Sequence, residues 1–228
     1  MSRADVEIPV PDGVARGSLH VPDGDGPWPG VLVFPDAGGL RETFREMGDR
    51  IAGLGYVALI PDIYYREGDW APFDMATAFS DEKERARLFG VMGRLTNERI
   101  IADSDAYADF LLARPEVSGS AIGTTGYCLG GRMSMLAAGG IGDKIAAAAS
   151  FHGGRIAVAD DPTSPHLAAD RIAATASASM VGISNASSID RSSGSSRPLT
   201  FTTVLMLETL LPRGRPPRAH RRRGDRSH

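Results

Sequence analysis

The chain has 228 residues, of which 42% are hydrophobic and 23% charged, as in an ordinary globular protein. No apolar run approaches the ~18 residues that span a bilayer, which argues against an integral membrane protein. The one cysteine, Cys128, excludes an internal disulfide framework and a cysteine-rich zinc site. The first residues lack the apolar segment of a secretory signal, so we expect a cytoplasmic location.

The formal net charge of -3 conceals two regions of opposite sign. Residues 1–174 carry a net charge of -9, whereas residues 175–228 carry +6 and are rich in serine, arginine and proline. A change this abrupt predicts a boundary between a folded domain at 1–174 and an atypical segment at 175–228.

The chain alternates between strand and helix patterns. An alternating pattern interrupted by Pro-Asp-Gly at 11–13 predicts a β-hairpin. Further strands are predicted at 30–34, 56–60, 121–127 and 145–151, and helical stretches at 40–54, from about 81 to 113, and at 130–138. This order predicts the α/β class, with a mostly parallel sheet covered by helices on both faces.

Ligands bind such sheets at the carboxyl ends of the strands. Side chains that directly follow a predicted strand are therefore candidates for the site, and they are Asp36, Ala37, Asp62, Cys128 and His152.

A nucleophile motif lies between the third buried strand and the next helix. Residues 126–131 read Gly-Tyr-Cys-Leu-Gly-Gly, which is G-x-S-x-G with cysteine at the nucleophile position. Small residues are needed on either side because the strand and helix backbones nearly touch at such a turn. Amides at the helix N-terminus stabilise a thiolate and can bind an oxyanion. The pattern favours Cys128 as a nucleophile over a structural, buried cysteine.

Four motifs follow one another along the chain: Phe-Pro-Asp-Ala-Gly-Gly at 34–39, Gly-Tyr-Val-Ala-Leu-Ile-Pro-Asp-Ile-Tyr at 55–64, Gly-Tyr-Cys-Leu-Gly-Gly at 126–131 and Ser-Phe-His-Gly-Gly at 150–154. Together they resemble the dienelactone hydrolase (carboxymethylenebutenolidase) family. The resemblance covers about residues 1–174. It implies an α/β-hydrolase fold, a Cys–His–Asp triad and cleavage of a small ester or lactone through a thioester, without metal or organic cofactor.

The resemblance also implies roles for individual residues. Cys128 would be the nucleophile, and the amides of Leu129 and Ala37 would form the oxyanion hole. Asp36 would contact the resting thiol, where the family often has a glutamate. Arg85 and Arg87 lie on a helix that would cover the site and could hold a substrate carboxylate, although the many charges on this helix favour a solvated face.

The C-terminal part departs from the family pattern. The strand expected at 174–183 is weakly apolar, and the acid position falls near Asn185 and Ala186, which carry no carboxylate. No histidine occurs between His166 and His220. The segment 175–228 is thus either a divergent tail or the product of a shifted reading frame, and the fold would then be incomplete at the C-terminus.

Several alternatives stay open. His152 could reach the thiol but fits a turn better, and His166 fits a structural role better than that of a substitute base. Without a base, the chain could be a hydrolase-like protein that only binds small acids or a partner chain. The chain could also be a nucleic-acid-associated protein with a basic tail, because the motif at 213–216 resembles an AT-hook. A single short motif in biased sequence is weak evidence, so a nucleic-acid partner is not the favoured interpretation. We expect a monomer or a small homo-oligomer.

Overall fold

The computed structural model describes residues 1–172 and 175–179. These residues form one seven-stranded sheet with the strand order β1-β2-β4-β3-β5-β6-β7. The strands are β1 (Ser2–Val10), β2 (Gly13–Val21), β3 (Trp28–Phe34), β4 (Val57–Pro61), β5 (Val117–Tyr127), β6 (Ile145–Phe151) and β7 (Thr175–Ser179). The helices are α1 (Glu42–Gly53), α2 (Glu82–Gly93), α3 (Asn97–Leu112) and α4 (Leu129–Gly140), and short 3-10 helices lie at Tyr65–Glu67, Gly142–Lys144 and Pro165–Arg171.

The sheet is parallel from β4 to β7 and antiparallel at its N-terminal edge. β1 and β2 form the predicted hairpin, and β2 pairs with β4 in the antiparallel direction. β3 lies between β4 and β5 and is parallel to both, and β6 is parallel to β5 and β7. The predicted α/β class with a mostly parallel sheet is confirmed.

Helices cover both faces because successive side chains of the central strands point to opposite sides. In β3, Leu32 and Phe34 belong to a large core cluster beneath α3 and α4. Val31 and Val33 face the other way and pack against Phe44 of α1 in a smaller cluster.

The helical stretch predicted from about 81 to 113 is two helices, α2 and α3. Each helix is preceded by an N-cap residue whose side chain accepts a hydrogen bond from a backbone N–H three residues further on. Asp81 accepts from Glu84, and Thr96 accepts from Arg99. α2 ends at Gly93, and the cap at Thr96 starts α3 within the predicted stretch.

β7 begins just after the predicted boundary at 174. It pairs in parallel with β6 from Ala147↔Thr175 to Phe151↔Ser179, where the sequence predicted a weak strand. The division of the chain at 174 stays a prediction, as does the shifted frame, since residues 180–228 lie outside the described part.

Candidate active site

Cys128 stands on a sharp turn between β5 and α4. Its backbone has φ 53° and ψ -114°, a conformation that costs energy for any residue other than glycine. Three hydrogen bonds hold this turn: Cys128 N–H donates to the carbonyl of Phe151 at 3.0 Å, and its own carbonyl accepts from Gly131 at 3.0 Å and Arg132 at 3.3 Å. The side chain is half-buried. The turn therefore has the geometry predicted for a nucleophile elbow.

The glycines of the motif are needed for close backbone contact. A Cβ at Gly126 would lie 2.0 Å from the carbonyl oxygen of Gly130, and one at Gly130 would lie 2.2 Å from that of Phe34. A Cβ at Gly131 would lie 2.6 Å from Ser150 Oγ. The start of α4 is thus packed directly against the ends of β3 and β5.

Two backbone amides near the turn at Cys128 lack an acceptor among the residues that the structure describes. Leu129 is the first residue of α4, so its N–H has no partner within the helix. Ala37 is buried, with 2% of its surface exposed. Within the described residues neither N–H donates a hydrogen bond. Because a buried N–H group is rarely left unpaired, the amide of Ala37 is a candidate donor to a bound oxygen atom. The amide of Leu129 is a second candidate, because the first N–H groups of a helix point out of its end.

The carboxylate of Asp36 is occupied by neighbours in its own loop. Arg41 donates to both of its oxygens, at 2.6 Å and 2.9 Å, and Gly38 N–H donates to Oδ1 at 2.8 Å. Among the described residues no hydrogen bond joins Asp36 to Cys128. The expected contact of this acid with the thiol stays a prediction.

Tyr64 lies beneath the same loop. It is 2% exposed, and its hydroxyl donates to the carbonyl of Ala37 at 2.8 Å. Burial raises the pKa of this hydroxyl, and the nearby carboxylate of Asp36 raises it further. The phenol thus stays protonated and serves as a hydrogen-bond donor to the loop.

Asp62, which directly follows β4 and was a further candidate from the sequence, has a structural role. Its carboxylate accepts hydrogen bonds from the indole of Trp70 at 3.0 Å and from the backbone of Tyr64 at 2.9 Å. Burial raises the pKa of this carboxyl group. The aromatic ring of Trp70 meets that of Tyr64 edge-on at 5.4 Å and stacks on Phe73 at 5.8 Å. These contacts fix the segment that carries Tyr64.

The two candidate arginines lie on α2. Arg85 is exposed. Arg87 lies over the ring of Phe73 at 3.8 Å, pairs with Glu84 at 2.8 Å and donates to the carbonyl of Ala71. No contact within the described residues joins either arginine to the elbow, so their role in substrate binding stays a prediction.

None of the three described histidines forms a hydrogen bond with the thiol. His20 lies on β2, bonded to Ser18 at 2.9 Å and to Asp49 at 2.8 Å. His166 is bonded to Ser164 at 2.9 Å. His152 follows β6 with φ 43°, and its ring centroid lies 6.4 Å from that of Tyr127. His220 and His228, and the expected acid near Asn185, lie outside the described residues.

Two surface cavities lie away from the thiol. One, of about 740 Å³, is lined in part by Leu40, Asp62 and Trp70, and another, of about 610 Å³, by residues that include Arg87 and Arg94. Cys128 lines neither. Within the described part of the chain, no group of three or more histidine, cysteine, aspartate or glutamate side chains could hold a metal ion, and no helix could span a membrane.

Sequence reasoning missed two contacts near the turn at Cys128. Arg41 stands just before α1, and no spacing rule links it to the aspartate five residues earlier. The contact of the Tyr64 hydroxyl with Ala37 joins loops 27 residues apart. The signal that could have found Arg41 is its proximity in the chain to Asp36, since a carboxylate at a strand end commonly needs a partner.

The profile of the dienelactone hydrolase family matches residues 15–190. A protein of Methylorubrum extorquens, provisionally named a carboxymethylenebutenolidase, is 30% identical over 132 residues, which are 58% of this chain and 43% of that protein. A carboxymethylenebutenolidase of a Pseudomonas species is 32% identical over 106 residues, 46% of this chain and 42% of that enzyme. The matched region thus covers less than half the length of each relative.

One solved structure is similar to this chain in fold. The crystal structure of a dienelactone hydrolase-like promiscuous phosphotriesterase from metagenomic libraries is 29% identical and has a TM-score of 0.61. The match covers 78% of this chain and 68% of that one. The family profile spans well over half of the chain, and this chain therefore belongs to the dienelactone hydrolase family, with an α/β-hydrolase fold.

Proposed function

We propose that the chain hydrolyses small carboxylic esters or lactones through Cys128. The observation that carries the proposal is the strained elbow, which presents a half-buried thiol at the N-terminus of α4. The thiolate is the reactive form of cysteine, and a helix N-terminus favours its negative charge. The family relationship supports hydrolysis as the reaction class.

The chemistry proceeds in two steps. The thiolate of Cys128 attacks the carbonyl carbon, a C–S bond forms, and the carbonyl electron pair moves to oxygen. The amides of Leu129 and Ala37 donate to this oxyanion. Collapse of the intermediate breaks the C–O bond and leaves a thioester. The alkoxide takes up from solvent a proton equivalent to the one that the thiol lost, and it departs as the alcohol or, in a lactone, stays attached to the acyl group. Water then attacks the thioester, its hydroxyl joins the acyl group as a carboxylic acid, and its proton returns to the thiolate.

Each step also moves a proton. The thiol must lose one before attack, and the water must lose one before it can hydrolyse the thioester. His20 and His166 have other hydrogen-bond partners. We therefore expect acylation, which a higher pH can assist by ionising the thiol, to be faster than release of the acid.

The test uses p-nitrophenyl acetate. Wild-type protein should release one equivalent of p-nitrophenolate in a burst, and mass spectrometry should find one acetyl group on Cys128. Cys128→Ala should show neither, and iodoacetamide should alkylate the wild-type thiol faster than free cysteine. Absence of the burst together with ordinary alkylation would overturn the proposal and leave a family member that only binds small acids.

A further inference from the structure

The loop that carries Ala37 is braced by an ion pair. The guanidinium of Arg41 holds both carboxylate oxygens of Asp36, at 2.6 Å and 2.9 Å, and each side chain is only 24% exposed. The guanidinium also lies 5.0 Å from the ring centroid of Phe44. Since paired hydrogen bonds between planar groups fix orientation as well as distance, this contact anchors Asp36 to the start of α1.

The remaining polar groups of this loop, residues 36–39, are fixed by further bonds. Gly38 N–H donates to the Asp36 carboxylate at 2.8 Å, and Gly39 N–H donates to the Asp36 carbonyl at 2.9 Å. The carbonyl of Ala37 accepts from Tyr64 at 2.8 Å. The peptide group between Ala37 and Gly38 is therefore held at both its N–H and its C=O. The N–H of Ala37 is left without an acceptor among the described residues.

We infer that Arg41 is a positioning residue, which acts through Asp36 to aim the N–H of Ala37 at the oxyanion. The inference rests on the proposed function, since it assigns the loop to the same reaction. It competes with the role that the family resemblance implies for Asp36, namely contact with the resting thiol. The packing favours the positioning role of Arg41. A Cβ at Gly38 would lie 2.8 Å from the Arg41 guanidinium, so the cation lies directly against the loop.

The size of the effect follows from the chemistry of oxyanion holes. Removing one donor lowers kcat by about 10²–10³-fold in a well-studied hydrolase. Loss of the ion pair between Arg41 and Asp36 would displace the N–H of Ala37 instead of removing it, so we expect acylation to slow by roughly ten-fold. A lysine cannot form the paired bonds, so Arg41→Lys should recover only part of the rate.

Two reactions of the same thiol separate the two roles. Acylation by p-nitrophenyl acetate passes through an oxyanion, whereas alkylation by iodoacetamide displaces iodide and forms none. Both rates are measured against pH for the wild type, Arg41→Met, Arg41→Lys and Asp36→Asn. The matched control is Arg45→Met: Arg45 lies one turn further along α1 and bonds Asp5 and Ser18. Thermal melting establishes that each variant is folded.

If the inference is right, Arg41→Met and Asp36→Asn slow acylation about ten-fold and leave the rate of alkylation and its pH profile unchanged. Arg45→Met then changes neither rate. Equal loss of both reactions, or a shifted pH profile of alkylation in Asp36→Asn, would assign the acid to the thiol and overturn the inference. An unchanged acylation rate in Arg41→Met would also overturn it. If Arg41→Met does not fold, Arg41→Lys and Asp36→Asn give the same comparison. Failure of the wild type to acylate would instead refute the proposed function itself.

Discussion

A Cβ at Gly126 would lie 2.0 Å from the carbonyl oxygen of Gly130, well inside any real contact between two such atoms. Both groups are backbone, so neither can move away by a change of rotamer. The end of β5 and the start of α4 can therefore approach each other only with glycine at this position, and the backbone of Cys128 depends on that approach.

Gly126→Ala should disrupt the elbow. We expect the free energy of unfolding to fall by about 3 kcal/mol or more, because the strand and helix must separate. The burst with p-nitrophenyl acetate should disappear as well. Urea denaturation measures the first effect and stopped-flow absorbance the second.

The matched control is Gly53→Ala at the C-terminal end of α1, where a Cβ would meet nothing within 4 Å. Alanine is the better helix former by up to about 1 kcal/mol, so this variant should be as stable as the wild type or more so. A Gly126→Ala protein as stable and reactive as the control would contradict the elbow geometry.

The sequence predicted the sharp strand–turn–helix at Cys128 because the spacing of the glycines around it reports backbone contact directly. It predicted the parallel sheet for a similar reason, since buried strands leave continuous apolar runs such as 30–34. It could not predict which polar side chains meet. Arg66 and Asp103 lie 37 residues apart, and His20 and Asp49 lie 29 apart, with no periodicity to connect them. Such pairs depend on how loops cross the sheet.

The pair formed by Arg66 and Asp103 should contribute strongly to stability. The guanidinium bonds both carboxylate oxygens, at 2.6 Å and 2.9 Å, and Asp103 is 4% exposed. The hydroxyl of Tyr65 donates to the same carboxylate at 3.0 Å. Asp103→Ala leaves the guanidinium of Arg66, whose side chain is 15% exposed, with Asp12 at 2.7 Å as its one remaining acidic partner within the described residues. Because a largely buried cation then loses two of its charged hydrogen bonds, we expect the free energy of unfolding to fall by about 3 kcal/mol.

Asp105→Ala is the comparison for this variant. Asp105 also lies on α3, but its carboxylate is 46% exposed and shares Lys144 with Asp109. Its removal should cost less than about 1 kcal/mol. Equal effects of the two substitutions in urea denaturation would show that burial does not govern these ion pairs.

Acid should destabilise the protein through His20. Burial lowers the pKa of this imidazole below its ordinary value of 6.5, although the hydrogen bond from its ring to Asp49 opposes the shift. The folded state therefore binds fewer protons than the unfolded state between the two pKa values. The free energy of unfolding should be independent of this group above about pH 6.5, fall as the pH drops below that value, and level off below the folded pKa.

His20→Gln removes this titration and should flatten the pH dependence below 6.5, as measured by urea denaturation at a series of pH values. His166→Gln is the control for removal of an imidazole at an exposed position. An identical slope in wild type and His20→Gln would assign the acid sensitivity to other groups. One such group is Asp49, whose pKa is lowered chiefly by its hydrogen bond with Arg3, so that its contribution is lost only at still lower pH.

Tyr64→Phe should loosen the loop of residues 36–39, which carries the amide of Ala37. The variant keeps the buried ring and its edge-on contact with Trp70 but loses the hydrogen bond to the carbonyl of Ala37. A buried carbonyl without its donor costs about 1–3 kcal/mol, and the freed peptide group can rotate. We expect slower acylation of Cys128 with an unchanged rate of alkylation.

Tyr107→Phe provides the matched control. Tyr107 is 1% exposed, and its hydroxyl has no hydrogen-bond partner within the described residues. Removing that hydroxyl relieves an unpaired polar group, so the control should be at least as stable as the wild type and acylate at the same rate. If the two tyrosine variants acylate equally fast, the hydroxyl of Tyr64 does not orient the loop. If Tyr64→Phe slows alkylation as much as acylation, its effect lies on the thiol and not on the amide of Ala37.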